Sequence, residues 1–247
     1  MKMLAEILET LPDGEVEEVR IGLHWTAVVV NVNGEQRCGL ASTLVGGHDH
    51  HKEADVPQAG ELEGISGREL ARLALGNAPT QASVGMAALN ALLPRRPQTW
   101  VDANAEEMIA AHGKGKRVAM IGHFPFVPRL RTRVKELLVL EQNPRDGDLP
   151  AESAAKVLPM VDVAAITGMT FLNHTLEILL GLCQPQAFVI VMGPSTPLSP
   201  LLFDHGIDVV SGSIVVDIQP VLKVVSQGGN FRQVHQAGVR LVNILKP

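Results

Sequence analysis

The sequence predicts an α/β fold: a doubly wound parallel sheet preceded by a small α+β unit. Three observations carry this. From Arg117 onward, short apolar runs alternate with helical stretches, the texture of successive βαβ units. The run Ala187 to Met192 is unbroken, rich in β-branched residues and too short for a good helix, so it reads as a fully buried parallel strand. Between Val16 and Ala41, three runs flank Asn33-Gly34, the strongest short hairpin signal, because both residues tolerate positive φ.

In chain order, Leu4 to Leu11 places Leu4, Ile7, Leu8 and Leu11 on one helical face, and Pro12-Asp13-Gly14 turns the chain. Val16 to Leu23, Ala27 to Val32 and Gln36 to Ala41 read as an antiparallel meander. Residues 42 to 64 are polar and glycine-rich. Ser66 caps a helix over Gly67 to Leu75, and Ala82 to Leu93 is a second. Pro94-Arg95-Arg96-Pro97 is the linker, dividing residues 1–96 from 97–247. Asn104 then caps a helix to about Ala111, with Glu106 and Glu107 in its positive first turn. Strands follow at Val118 to Ile121, Glu136 to Leu140, Val161 to Ile166, Ala187 to Met192 and Ile207 to Val210. Between them lie helices at Val127 to Val134, Ala151 to Leu158, Asn173 to Leu182, and a short one begun by Ser199-Pro200 and ended by Gly206. The tail from Pro220 reads as a helix or an edge strand.

Composition narrows the function. A net charge of -5 provides no basic footprint for nucleic acid, and aromatic residues at 3%, with no tyrosine, make no base-stacking platform. No apolar run approaches the roughly 20 residues of a membrane span, and the acidic, amphipathic N-terminus is wrong for a secretory signal. Cys38 and Cys183 lie far apart without a CxxC, as expected of reduced thiols in a cytoplasmic protein. The expected partner is therefore a small-molecule or metal ligand, without nucleic acid or membrane, and a homo-oligomer is compatible with the chain.

Five predicted strand ends line up: Gly122-His123-Phe124-Pro125, Glu141, Thr167-Gly168, Gly193-Pro194-Ser195 and Ser211-Gly212-Ser213. In open α/β sheets this edge receives ligands, and glycine lets a ligand approach the backbone. Glu141 follows Gly122 by about 20 residues, where dinucleotide-binding proteins place the acid that holds a ribose. The loop reads G-H-F-P-F-V, however, without the second and third glycines, and Pro125 removes an amide donor, which argues against NAD. A nucleoside without a pyrophosphate stays open. A second constellation, His48, Asp49, His50, His51 and Glu53, offers imidazoles and carboxylates that suit zinc, copper, nickel or iron, although its spacing matches no structural zinc pattern. His123 and His174 are placed near the strand edge. No Walker loop is present, and Ser195 lacks a nucleophile-elbow context.

Thr167-Gly168-Met169-Thr170-Phe171-Leu172-Asn173-His174-Thr175-Leu176-Glu177, followed by Gly193-Pro194-Ser195-Thr196-Pro197-Leu198 and Gly206 through Ser211-Gly212, resembles a family of unknown function named for heavy-metal chelation. The resemblance covers nearly the whole chain. It implies a Rossmann-like C-terminal domain and a first domain like the N-terminal domain of enolase. It also implies a site between the two, built from the strand-end loops and the Gly39 to His48 region. Enolase's metal-binding carboxylates belong to a barrel absent here, so no enolase activity follows. The ligand-binding residues expected are Gly39, Gly122, Pro125, Glu141, Thr167, Gly168, Asn173, Thr175, Gly193, Pro194, Ser195 and Gly212. His48, His50 and His51 are the expected metal ligands, and a divalent heavy metal the expected cofactor. The function expected is small-ligand binding in an interdomain cleft, of a heavy-metal ion or metal complex. The alternative is an enzyme acting on a small metabolite with a nucleoside-type cofactor such as S-adenosylmethionine.

Overall fold

The structure, a computed structural model, describes residues 1–46 and 54–247. Helix α1 (Lys2–Thr10) buries Met3, Leu4, Ile7 and Leu8, the face the periodicity marks. Strands β1 (Glu15–Ile21), β2 (Trp25–Val32) and β3 (Glu35–Ser42) form the antiparallel meander. Its hairpin turns on Asn33 and Gly34, at φ 54 and 86. Ser66 accepts the Glu69 amide and starts α2 (Gly67–Ala71), which tightens into a 3-10 turn at Arg72–Leu75. Helix α3 (Pro79–Leu92) starts earlier than its apolar pattern suggests, because Pro79 is pre-organised for a first turn. It is buried on nearly every side.

The second part opens with α4 (Ala105–Gly113), capped by Asn104. Then come β4 (Arg117–Ile121), α5 (Val127–Leu130), β5 (Glu136–Glu141), β6 (Leu149–Pro150), α6 (Ala154–Val157), β7 (Val163–Thr167), α7 (Met169–Leu172), α8 (Leu176–Leu182), β8 (Phe188–Met192), β9 (Val209–Val215), α9 (Ile218–Ser226), α10 (Phe231–Gly238) and β10 (Val239–Leu245). Several expected helices are shorter. The one over Val127 to Val134 is a single turn. The one over Asn173 to Leu182 breaks at His174, whose φ of 59 no helix tolerates. The segment after Ser199 is a 3-10 helix, Pro200–His205, closed by Gly206 at φ 82.

The seven-stranded sheet has the order β10-β9-β8-β7-β4-β5-β6, parallel except for β10. The chain starts in the middle at β4, runs outward to β6, returns beside β4 as β7, and runs outward the other way. The carboxyl ends of β4 and β7 are therefore the topological switch point. The tail supplies both options the sequence left open: two helices and then an edge strand. That edge strand changes the reading of its neighbour. Ser211-Gly212-Ser213 is not a strand-end loop; it lies inside β9 and pairs with Leu241, Val242 and Asn243.

The two sheets pack closely. β3 lies near β9, Trp25 meets Phe231 at 5.7 Å, and His205 bonds Glu6. The Met1 ammonium donates to Glu177 at 2.7 Å and the Met3 amide donates to it at 2.9 Å. Burial pushes the Glu177 carboxyl up, but these two donors outweigh it and hold the group below its ordinary value.

Candidate functional site

The switch point is built from three backbone turns, after β4, β7 and β8. Gly122 leaves β4 at φ 96 and Gly193 leaves β8 at φ 124, conformations natural only to glycine. Between them, Thr167 and Gly168 close β7, and the Gly168 amide donates to Met192 O at 2.7 Å. Among the described residues, a side chain at Gly193 would meet only the Gly168 nitrogen, at 3.8 Å, so they leave the space beside it open. A side chain at Gly122 would press on the Thr167 methyl and Cβ at 3.2 Å. Both glycines are partly exposed, and Pro125 is exposed beyond them. Phe124 and Phe126 stack at 5.4 Å and wall one side.

Glu141 first serves this loop. Its Oε2 accepts the His123 amide and its Oε1 the Gln142 amide, each at 2.9 Å. A carboxylate clamped by two amides at the end of the second parallel strand fixes the loop after the first. Each oxygen keeps a further acceptor direction. Glu141→Gln replaces one oxygen by an NH2 group facing an amide N–H. Loss of about 1–3 kcal/mol in a urea melt is expected, the cost of an unmet amide. An unchanged midpoint would mean the clamp does not form in solution.

The same loop carries a feature that spacing did not predict. His123 Nδ1 lies 2.8 Å from Asp148 Oδ2, which also accepts the Arg145 amide at 3.2 Å. The Asp148 side chain is fully buried (0% exposed), and His123 retains 16%. Asp148 Oδ1 has no hydrogen-bond partner among the described residues; Arg131 Nη2 stands 3.9 Å away. No signal in the sequence joins residues 123 and 148, because the two-residue strand β6 beside β5 brings them together.

Other expected site residues have structural partners instead. The β3 backbone at Gly39 lies so close to α3 that a Cβ would overlap Ala87 O and Ala91 N. Gly212 is crossed by the loop after β8, where a Cβ would reach Thr196 O at 2.6 Å and Leu198 at 2.9 Å. Ser195 is 1% exposed; its Oγ accepts the Ser42 amide at 2.9 Å and donates to Ser42 Oγ at 3.1 Å. Pro194 O accepts Ser213 Oγ at 3.1 Å. Asn173 Oδ1 accepts the amide and hydroxyl of Thr175 at 3.2 and 2.7 Å, a local turn on an exposed surface. His174 Nε2 pairs with Ala74 O at 2.9 Å and ties the two parts of the chain together, away from the switch point. The loop from Pro194 to Ser199 therefore fills the space between the sheets. The hollow left there, lined by Cys38, Asn90, Arg95, Trp100 and Ser213, is about 20 Å³, room for one water.

The donor set bears on metal binding. Burial pushes the Cys38 thiol up to about 12 and the Cys183 thiol up to about 11, so both are protonated near neutrality and poor ligands for an ion. Among the described residues no group of three or more His, Cys, Asp or Glu side chains converges. His48, His50 and His51 lie outside the described residues.

Residues 104–243 and 4–93 match two family models, both described as "Putative heavy-metal chelation". An uncharacterized protein of Methanocaldococcus jannaschii is 27% identical over 222 residues, spanning 85% of this chain and 82% of that protein. A crystal structure of a protein of unknown function from Desulfitobacterium hafniense aligns with a TM-score of 0.83 at 27% identity, covering 99% of this chain and 97% of that one. A second, from Pyrococcus horikoshii, aligns with a TM-score of 0.82 at 21% identity, covering 99% and 98%, and speaks to the fold alone. Both solved proteins are described as members of the family that residues 104–243 match.

Proposed function

This chain belongs to the family described as "Putative heavy-metal chelation", and from that membership we propose that it binds a small metal-bearing ligand, an ion carried by an organic chelator, at the crevice between the ends of β4, β7 and β8. The supporting observation is the pair of partly exposed, positive-φ glycines, Gly122 and Gly193, flanking Thr167-Gly168 at the switch point. Open α/β sheets receive ligands there. The ligand lies beside the contact between the two sheets and not within it, because the hollow inside holds only a water.

An ion with its own chelator fits better than a bare ion in the crevice, given protonated thiols and the lack of a converging donor group among the described residues. His48, His50 and His51 are proposed as the imidazoles that complete its coordination. The two free cysteines, Cys38 and Cys183, support a reducing, cytoplasmic setting in this reading. The observation favouring a nucleoside-type cofactor instead is Glu141, at the end of β5 beside β4, where a ribose acid would stand.

Titration calorimetry with nickel citrate tests the crevice, with S-adenosylmethionine as the competing probe. Gly193→Ala puts a methyl group into the open side. Its positive φ costs about 1–2 kcal/mol of stability, but the fold should persist. At least about tenfold weaker nickel citrate binding is expected, about 1.4 kcal/mol. Equal affinity in a folded variant rejects the crevice, and binding of S-adenosylmethionine alone selects the nucleoside reading.

A further inference from the structure

Resting on that crevice reading, we infer that His123 accepts the proton of an acidic O–H on the organic ligand, with Asp148 as the residue that positions it. An ionised carboxylate can only accept, so the 2.8 Å contact makes His123 Nδ1 the donor and leaves Nε2 with its lone pair. Nε2 has no hydrogen-bond partner among the described residues, and the partly exposed ring stands on the loop that follows β4. A histidine held in one tautomer by a fully buried carboxylate is an arrangement built to receive a proton at a fixed atom.

The surroundings are consistent from each element that meets the ring. From β5, Glu141 holds the His123 amide and so fixes the ring's attachment. From the β5–β6 loop come Asp148 and the Arg145 amide on its Oδ2. From the turn after α5, Arg131 stands 3.9 Å from Asp148 Oδ1, while its guanidinium donates to Leu137 O and Gly147 O. Asp148 Oδ1 is thus a buried oxygen with no hydrogen-bond partner among the described residues. The positive charge that arrives on the ring with a proton adds to that of Arg131 in balancing this buried carboxylate.

The chemistry connects to chelation. Chelating oxygens such as those of a catechol must lose their protons before they bind a metal. In the proposed step the ligand O–H bond breaks and a bond forms from Nε2 to that proton, which leaves an oxyanion beside an imidazolium. Atoms and charge balance with no other reactant.

The test uses 4-nitrocatechol, whose visible spectrum changes on ionisation, in metal-free buffer below the pH at which the free compound ionises. The wild-type protein is expected to bind it as the catecholate. His123→Asn keeps a donor near the Nδ1 position, so the Asp148 contact survives, but removes Nε2. It should bind at least about tenfold more weakly and show the neutral spectrum. Asp148→Asn, which keeps the ring in place but not the carboxylate, should bind less of the compound as catecholate and shift the ionisation profile upward in pH. A neutral bound spectrum in wild type overturns the inference, and so does a His123→Asn variant with unchanged spectrum and affinity. If nickel citrate binds but 4-nitrocatechol does not, the inference falls and the crevice reading stands; if neither binds, both fall.

Discussion

Gly39→Ala is expected to destabilise the folded chain by about 3 kcal/mol, at the upper end of overpacking costs. At this point β3 and α3 are in backbone contact: the added methyl would occupy the positions of Ala87 O and Ala91 N. Backbone atoms of a buried helix cannot rotate aside as a side chain can, so the helix and strand must separate. Separation also opens the packing of Val28 and Leu89, both 0% exposed. Gly181→Ala in α8 is the control, since nothing among the described residues lies within 4 Å of its new methyl. It should be neutral or stabilising by up to about 1 kcal/mol through the unfolded chain. Urea melts of both variants decide the matter. A Gly39→Ala midpoint as high as the parent's, at equal slope, would show that the β3–α3 contact relaxes freely, and would return Gly39 to consideration as a ligand residue.

Simultaneous replacement of His48, His50 and His51 by alanine is expected to abolish metal-dependent thermal stabilisation. For a site held at 100 times its dissociation constant the parent should gain about 2.7 kcal/mol. Imidazole binds zinc, nickel, copper and cobalt, with copper generally the tightest, so a shift reports the presence of a site and not which metal is native to it. The two thiols do not compete, since burial of Cys38 and partial burial of Cys183 keep both protonated near neutrality. Scanning calorimetry of tag-free protein with each of the four ions gives the result. No shift in the parent with any of them rejects the histidines as a specific site, and an equal shift in the triple variant assigns the metal to other residues.

The sequence alone determined the elements whose cause is local. Val163 to Ile166 and Val189 to Met192 are buried strands because their runs are apolar throughout, as parallel strands covered on both faces require. Asn33-Gly34 turns the hairpin because its φ values need those residues, and Ser66 and Asn104 cap helices because their side chains reach an orphan amide. The alternation of these elements was enough to predict the doubly wound sheet and to place Gly122, Thr167 and Gly193 on its carboxyl edge. Glu141 was legible as a strand-end acid, though not as the clamp on His123.

Other features needed partners far away in the chain. Ser211-Gly212-Ser213 looks like a loop until β10, from residues 239–245, pairs with it; small residues are compatible with either state, and the ladder chose. Gly39 looks like ligand space until α3 closes on it, and Ser195 like an exposed hydroxyl until Ser42 arrives from the other sheet. Asp148 looks like a loop carboxylate until β6 carries it under His123 and buries it. Periodicity and turn chemistry report the conformation of a residue and its near neighbours. Burial, close approach and hydrogen-bond partnership are properties of pairs, and in this protein the second member of each pair comes from a separate element, so only the tertiary structure could assign them.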